Sequence, residues 1–208
     1  MNLPIAFNET LESIHHKQTL PPFLFQILDH IPIQERNETT LLGSLRAKST
    51  FNEWVAGLLV INPQALLQDG ICLDLSDLMN GAMASLKDLQ QIEISLGDNE
   101  WAIIEKVANT PGDQSIVSCL VYLQMQGIII QQARIALTGV SRSPFEMVTS
   151  AQDMVGKELD QCLVNEIQEN IRKEFTPPDT YLASSAYRKE MAAVLVGRCL
   201  DKIINGGH

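Results

Sequence analysis

Gly127-Ile-Ile-Ile-Gln-Gln-Ala-Arg-Ile-Ala-Leu-Thr-Gly-Val-Ser-Arg-Ser-Pro144 reads as one long buried strand with a turn at each end. It leaves a tight turn at Gln126-Gly127 and stops at Gly139. Leu120, Tyr122 and Met125 precede the turn, so apolar runs flank it on both sides, the pattern of a hairpin. Pro144 has no N–H to donate and closes the stretch to further pairing.

Working outward, the same half of the chain supplies more strands. Ile92, Ile94 and Leu96 alternate with Glu93 and Ser95, a half-buried strand beginning near Gln90. Residues 101–107 form the next strand after a turn at Gly97-Asp98, and residues 115–125 and 128–137 form two more. Thr110-Pro-Gly-Asp113 is a loop between them. The connections are short and predict an antiparallel meander. Two helices follow. Leu159, Leu163, Ile167 and Ile171 share one stripe, and Ala192, Leu195, Cys199 and Ile203 mark the buried face of the second, which Ser184 or Ser185 caps and Gly206-Gly207 ends. Both stripes predict packing against the sheet.

The other half is mostly helical. A short helix over residues 9–17 takes Asn8 or Thr10 as its cap. Pro21-Pro22 opens a second helix with Phe23, Leu24, Ile27, Leu28 and Ile31 as its stripe, and Pro32 ends it. Residues 33–50 read as a loop. A helix over 52–61 stops at Asn62-Pro63. Strands over 64–68 and 71–73 straddle Asp69-Gly70, a hairpin signal. A helical turn over 75–79 breaks at Asn80-Gly81. The plan is α+β, with a change of character near Gly97.

The 208 residues carry a net charge of -10, which repels phosphate backbones and anionic lipid surfaces and argues against nucleic-acid and membrane partners. The segment from Met1 to Asn8 has no basic start and no long apolar run, so the chain reads as cytoplasmic. Cys72, Cys119, Cys162 and Cys199 form no C-x-x-C pair and read as small buried hydrophobes. His15, His16 and His30 follow no H-E-x-x-H pattern and read as surface or helix-end residues, so no metal is expected. No nucleophile triad or clustered carboxylate pair supports hydrolysis.

Several stretches together resemble the FAD-binding medium subunit of the molybdenum hydroxylases, the xanthine dehydrogenase and aerobic carbon monoxide dehydrogenase group. Ala133-Arg-Ile-Ala-Leu-Thr-Gly-Val140, Pro144, Gly156-Lys-Glu-Leu-Asp160, Ser185-Ala-Tyr-Arg-Lys189 and Val194-Leu-Val-Gly-Arg198 follow that family's C-terminal domain in order and spacing. The segment from Ala6 to Ile14 and that from Phe23 to Ile31 are similar to the start of its second FAD subdomain. The resemblance implies a remnant of the FAD-binding domain over residues 1–97, namely the second subdomain of a flavin-binding fold. It implies, over residues 98–208, a C-terminal domain of antiparallel sheet packed by helices.

The family's flavin-contacting loop falls on Gln34 to Leu45. Arg36, Asn37, Thr40, Gly43, Ser44 and Leu45 fit it. The resemblance makes Arg36, Asn37, Thr40, Gly43 and Ser44 cofactor-binding candidates, and adds Lys106 and Asp113 near the isoalloxazine. Thr39 and Leu42 stand where the family has glycines, Ser49 where it has aspartate and Thr50 where it has proline. Glycine lets backbone approach a phosphate closely, and Leu42 puts a branched side chain into that gap. The family's first FAD subdomain is missing. The resemblance therefore implies a truncated homologue with a degraded flavin site, an accessory or interaction protein that meets an iron–sulfur or molybdenum subunit or a second copy of itself. The alternative is an FAD-binding electron-transfer subunit, with the missing half encoded separately.

Overall fold

The computed structural model describes residues 2–80, 88–110, 113 and 115–206. Gly81, Pro111, Gly112 and Gly207, which the sequence offers as a break, a loop and a helix end, lie outside them. Contacts divide the chain into two units, Met1–Gly97 and Asp98–His208.

The first unit begins with β1 (Leu3–Ala6), followed by α1 (Leu11–His15), α2 (Pro22–Asp29), α3 (Ile33–Glu38), α4 (Leu41–Arg46) and α5 (Asn52–Ile61). Then come β2 (Gln64–Leu67), β3 (Cys72–Asp74), α6 (Leu75–Asn80) and β4 (Leu89–Ile94). The sheet order is β1-β4-β2-β3, all pairs antiparallel. Ile5, Ile92 and Ala65 stand side by side across three strands and are fully buried. β1 is an edge strand, which is why it tolerates Pro4. Every residue of α5 from Trp54 to Ile61 is buried, the signature of a helix enclosed on all sides. Asn62, in the left-handed conformation at φ 51°, ends it.

Two expectations for this unit are corrected. Residues 33–50 are not simply a loop: α3 and α4 occupy most of them. Their apolar content is too irregular to show a stripe, and the start of each is set by Pro32 or by Thr40, whose hydroxyl accepts from Gly43 N–H at 3.1 Å. β4 does not begin the second unit's meander, because both its edges are already used by β1 and β2. His15 is the last residue of α1 and His16 its C-cap, the helix-end positions expected, and the His15 side chain is 11% exposed. Thr10, not Asn8, caps α1.

The second unit runs β5 (Glu100–Val107), β6 (Val117–Gln126), β7 (Ile129–Thr138), β8 (Glu146–Met147), a 3-10 helix (Thr149–Met154), α7 (Gln161–Glu174) and α8 (Ser185–Ile204). Its sheet is a sequential antiparallel meander, β5-β6-β7-β8. Gly127 and Gly139 both have positive φ, at the two ends predicted for the long strand. The chain re-enters the sheet two residues after Pro144, through β8 against Ala136 and Leu137. One face of the sheet and the stripes of α7 and α8 form a common core that includes Val121, Ile135, Ile167, Leu195 and Cys199. Ser184 caps α8. Of the four cysteines only Cys119 and Cys199 are buried; Cys72 and Cys162 are exposed, against expectation, because they fall on the outer side of β3 and α7.

Arg188 ties this unit together. Buried on α8, it donates from Nη1 to Ile116 O at 2.7 Å and to Gly139 O at 3.1 Å, and from Nη2 to Thr180 Oγ1 at 2.7 Å.

Glu174 makes a smaller tie. It accepts from the N–H and hydroxyl of Thr149, each at 2.7 Å, and from the hydroxyl of Ser150 at 2.8 Å, so it caps the 3-10 helix. Burial raises its pKa, but these donors outweigh burial and hold it below the ordinary 4.5. A depressed folded pKa contributes stability above the unfolded value and loses it as pH falls through the folded one. Glu174→Gln is therefore expected to cost about 1 kcal/mol at pH 7. Urea denaturation should show the gap between variant and parent closing below the folded pKa; a gap independent of pH would refute the assignment.

Candidate functional site

The segment from Thr39 to Ser44 is where the flavin-type loop falls, and its backbone is fully engaged within the first unit. Leu11 N–H donates to Thr39 O at 2.8 Å, and Thr10 and Thr40 form an isolated bridge. At the start of α4, Leu41 N–H donates to Glu9 O at 2.8 Å and Leu42 N–H to Phe7 O at 2.9 Å. Gly43 N–H donates to Thr40 Oγ1 at 3.1 Å and Ser44 N–H to Thr40 O at 2.9 Å. A helix start leaves its first N–H groups without helical partners. Here the carbonyls of Phe7 and Glu9 and the hydroxyl and carbonyl of Thr40 take all four.

The side chains are similarly committed. Ser44 is fully buried; its hydroxyl donates to Leu41 O at 2.7 Å and accepts from Trp54 Nε1 at 3.1 Å. Arg36 is buried, with Nε 2.6 Å from Glu12 Oε2 and Nη1 donating to Leu28 O at 2.9 Å. Burial raises the Glu12 pKa, but Arg36 and His16 pull it below the usual range. Burial first, and then Arg36, lower that of His15. Asn37 is exposed on α3. A Cβ on Gly43 would meet Thr40 Oγ1 at 3.3 Å, so glycine here makes room for the cap. Among the described residues Asn62 alone of the non-glycines has positive φ, so Thr39 and Leu42 sit in conformations that ordinary side chains adopt.

The other two candidates belong to the second unit. Lys106 is half-buried on β5, opposite Ser118 on β6. Asp113 is exposed and closes its own turn: its Oδ2 accepts from Thr110 N–H at 3.1 Å, and its N–H donates to Thr110 O at 3.1 Å. The structure thus groups Thr40, Gly43 and Ser44 at one helix start and places Arg36 beside α1 and α2. The sequence reading missed Glu12, the partner of Arg36; its only local signal is the four-residue spacing to His16.

A flavin's pyrophosphate is held by free N–H donors and cations. Residues 41–44 have no N–H to offer, and Arg36 is already paired. As they stand, these residues do not fit the group.

Known proteins give the wider frame. Residues 102–203 match the CO dehydrogenase flavoprotein C-terminal domain. The chain is similar to the glyceraldehyde dehydrogenase medium chain of Sulfolobus acidocaldarius, with 27% identity over 113 residues, 54% of this chain and 40% of that protein. Its fold resembles a chain of the carbon monoxide dehydrogenase of Hydrogenophaga pseudoflava, with a TM-score of 0.78 and 18% identity over all of this chain and 76% of the other. It also resembles a chain of quinoline 2-oxidoreductase from Pseudomonas putida 86, with a TM-score of 0.75 and 22% identity over 99% and 75%. Among the described residues no helix is long and apolar enough to cross a membrane. The chain is a homologue of the FAD-binding medium subunit of the molybdenum hydroxylases, and its residues 102–203 form that family's flavoprotein C-terminal domain.

Proposed function

We propose that this chain keeps the scaffold of the medium subunit without its flavin site, and acts in the cytosol as an accessory or interaction protein. The observation that carries this reading is the engagement of all four N–H groups of residues 41–44 within the first unit. The buried pairing of Arg36 with Glu12 supports it. Partners of the kind expected are an iron–sulfur or molybdenum subunit of an oxidoreductase complex, or a second copy. Exposed Ile71 and Leu73, beside and within the open edge strand β3, suit such an encounter. Fold kinship alone does not carry activity.

The purified chain is expected to be colourless and to keep no flavin absorbance after incubation with FAD and desalting. One tightly held FAD per chain would overturn the reading. That outcome would favour the second one, an FAD-binding electron-transfer subunit, which is supported by similarity to a dehydrogenase medium chain. In that case Thr40, Gly43, Ser44, Asn37, Lys106 and Asp113 are the residues to substitute.

A further inference from the structure

Glu12 in the first turn of α1, His15 at its end and His16 as its C-cap each bring one donor atom within 4.8 Å of the other two. Residues three and four apart share a helix face, so the spacing Glu-x-x-His-His converges three donors. Glu12 Oε1 and His16 Nε2 stand 2.9 Å apart. Arg36 holds the other oxygen of Glu12, fixing the carboxylate while Oε1 faces His16.

His15 is the unexplained member. Both its ring nitrogens are shut off from solvent without a hydrogen-bond partner. The Asp29 carboxylate is 3.6 Å from Nε2, beyond hydrogen-bond reach, and the ring stacks on Phe25 at 4.4 Å between centroids. Buried polar atoms normally find partners, and an unmade bond costs stability. A lone pair beside an imidazole and a carboxylate has one common use.

We propose that Glu12 Oε1, His16 Nε2 and a ring nitrogen of His15 bind one divalent transition cation of the zinc class, with Asp29 or water in the fourth position. Imidazole with carboxylate suits zinc, whereas calcium and magnesium prefer all-oxygen sites. Tetrahedral zinc with bonds of about 2.0–2.1 Å wants donors about 3.3 Å apart. Glu12 Oε1 and His16 Nε2, at 2.9 Å, lie just inside that spacing, and the His15 donor, within 4.8 Å of both, would have to draw closer to complete the set. Asp29 ends α2, so the cation would join α1 to α2. The net charge of -10 draws cations toward the surface. The site shares Glu12 with the Arg36 pair that borders the flavin-type loop, but its test needs no flavin.

The test uses the full chain, stripped with a chelator and titrated with Zn²⁺ alone, then with Co²⁺ for its visible spectrum. One equivalent should bind, raise Tm, and give a tetrahedral Co²⁺ spectrum without thiolate bands. His16→Gln should weaken binding about tenfold or more. Because His16 is 72% exposed, this variant should keep the parent's circular dichroism. The Cys72→Ser, Cys162→Ser double variant controls for the exposed thiols and should bind as the parent does. Absence of zinc uptake, affinity unchanged in His16→Gln, or loss of binding in the serine variant would each overturn the proposal.

Discussion

Gly139→Ala should destabilise the second unit by about 4 kcal/mol, near the upper end for a single substitution. Gly139 has φ +72°, a left-handed conformation that costs an alanine about 1–2 kcal/mol by itself. The larger effect is steric. An added Cβ would lie 2.1 Å from the carbonyl oxygen of Ile116 and 3.0 Å from Arg188 Nη1. The first obstacle is backbone at the entrance to β6, so relief requires moving the strand that the sheet is built on. Gly156 provides the comparison. It has φ +82° with nothing within 4 Å of an added Cβ, so Gly156→Ala should show the conformational cost alone. Urea denaturation, with amide exchange of β6 and β7 to locate the loss, measures both. Equal costs at the two glycines would show that the contact with Ile116 yields easily.

Arg188→Met should cost about 3 kcal/mol, since it leaves the carbonyls of Ile116 and Gly139 and the Thr180 hydroxyl short of a donor in a buried place. The loss is moderated because methionine also removes a buried charge. Arg188→Lys should recover only part of it: an ammonium is a compact donor, whereas the guanidinium fork spans three acceptors on separate segments. Ile116 O is met by both Arg188 and the extra methyl of Gly139→Ala. The double variant should therefore lose less than the sum of the two, by about 1 kcal/mol. Strict additivity would mean that the two residues do not share that carbonyl.

The meander was legible in the sequence because its strands are sequential, apolar and joined by short turns. The glycines at 127 and 139 announced their own backbone conformation. The two closing helices were legible from four-residue periodicity. Tyr187-Arg188 could be recognised as part of a family pattern, but the reason for the arginine lies in Ile116 and Gly139, far away in sequence. β1 was hidden because Pro4 argues against a strand unless it is known to lie at an edge. α3 was hidden because its sequence, Ile33 to Glu38, has no apolar stripe; Arg36 anchors it through Glu12 and Leu28. At the candidate site, the residue types were readable and their commitments were not. Thr40 and Ser44 look like free hydroxyls in sequence, and only the fold shows them occupied by Gly43, Leu41 and Trp54.

The position of β4 between β1 and β2 has a consequence for synthesis. The second unit's meander can zip up strand by strand as it emerges from the ribosome. The first unit cannot. β1 is made early, yet its hydrogen-bonding partner is the last strand of the unit, with six described helices and a hairpin in between. Until β4 arrives, Leu3 and Ile5 have no neighbouring strand, and the β2-β3 hairpin stands alone. Such long-range closure slows folding and leaves apolar edges open to wrong pairing. The nascent first unit, rather than the finished protein, is where a chaperone should be found.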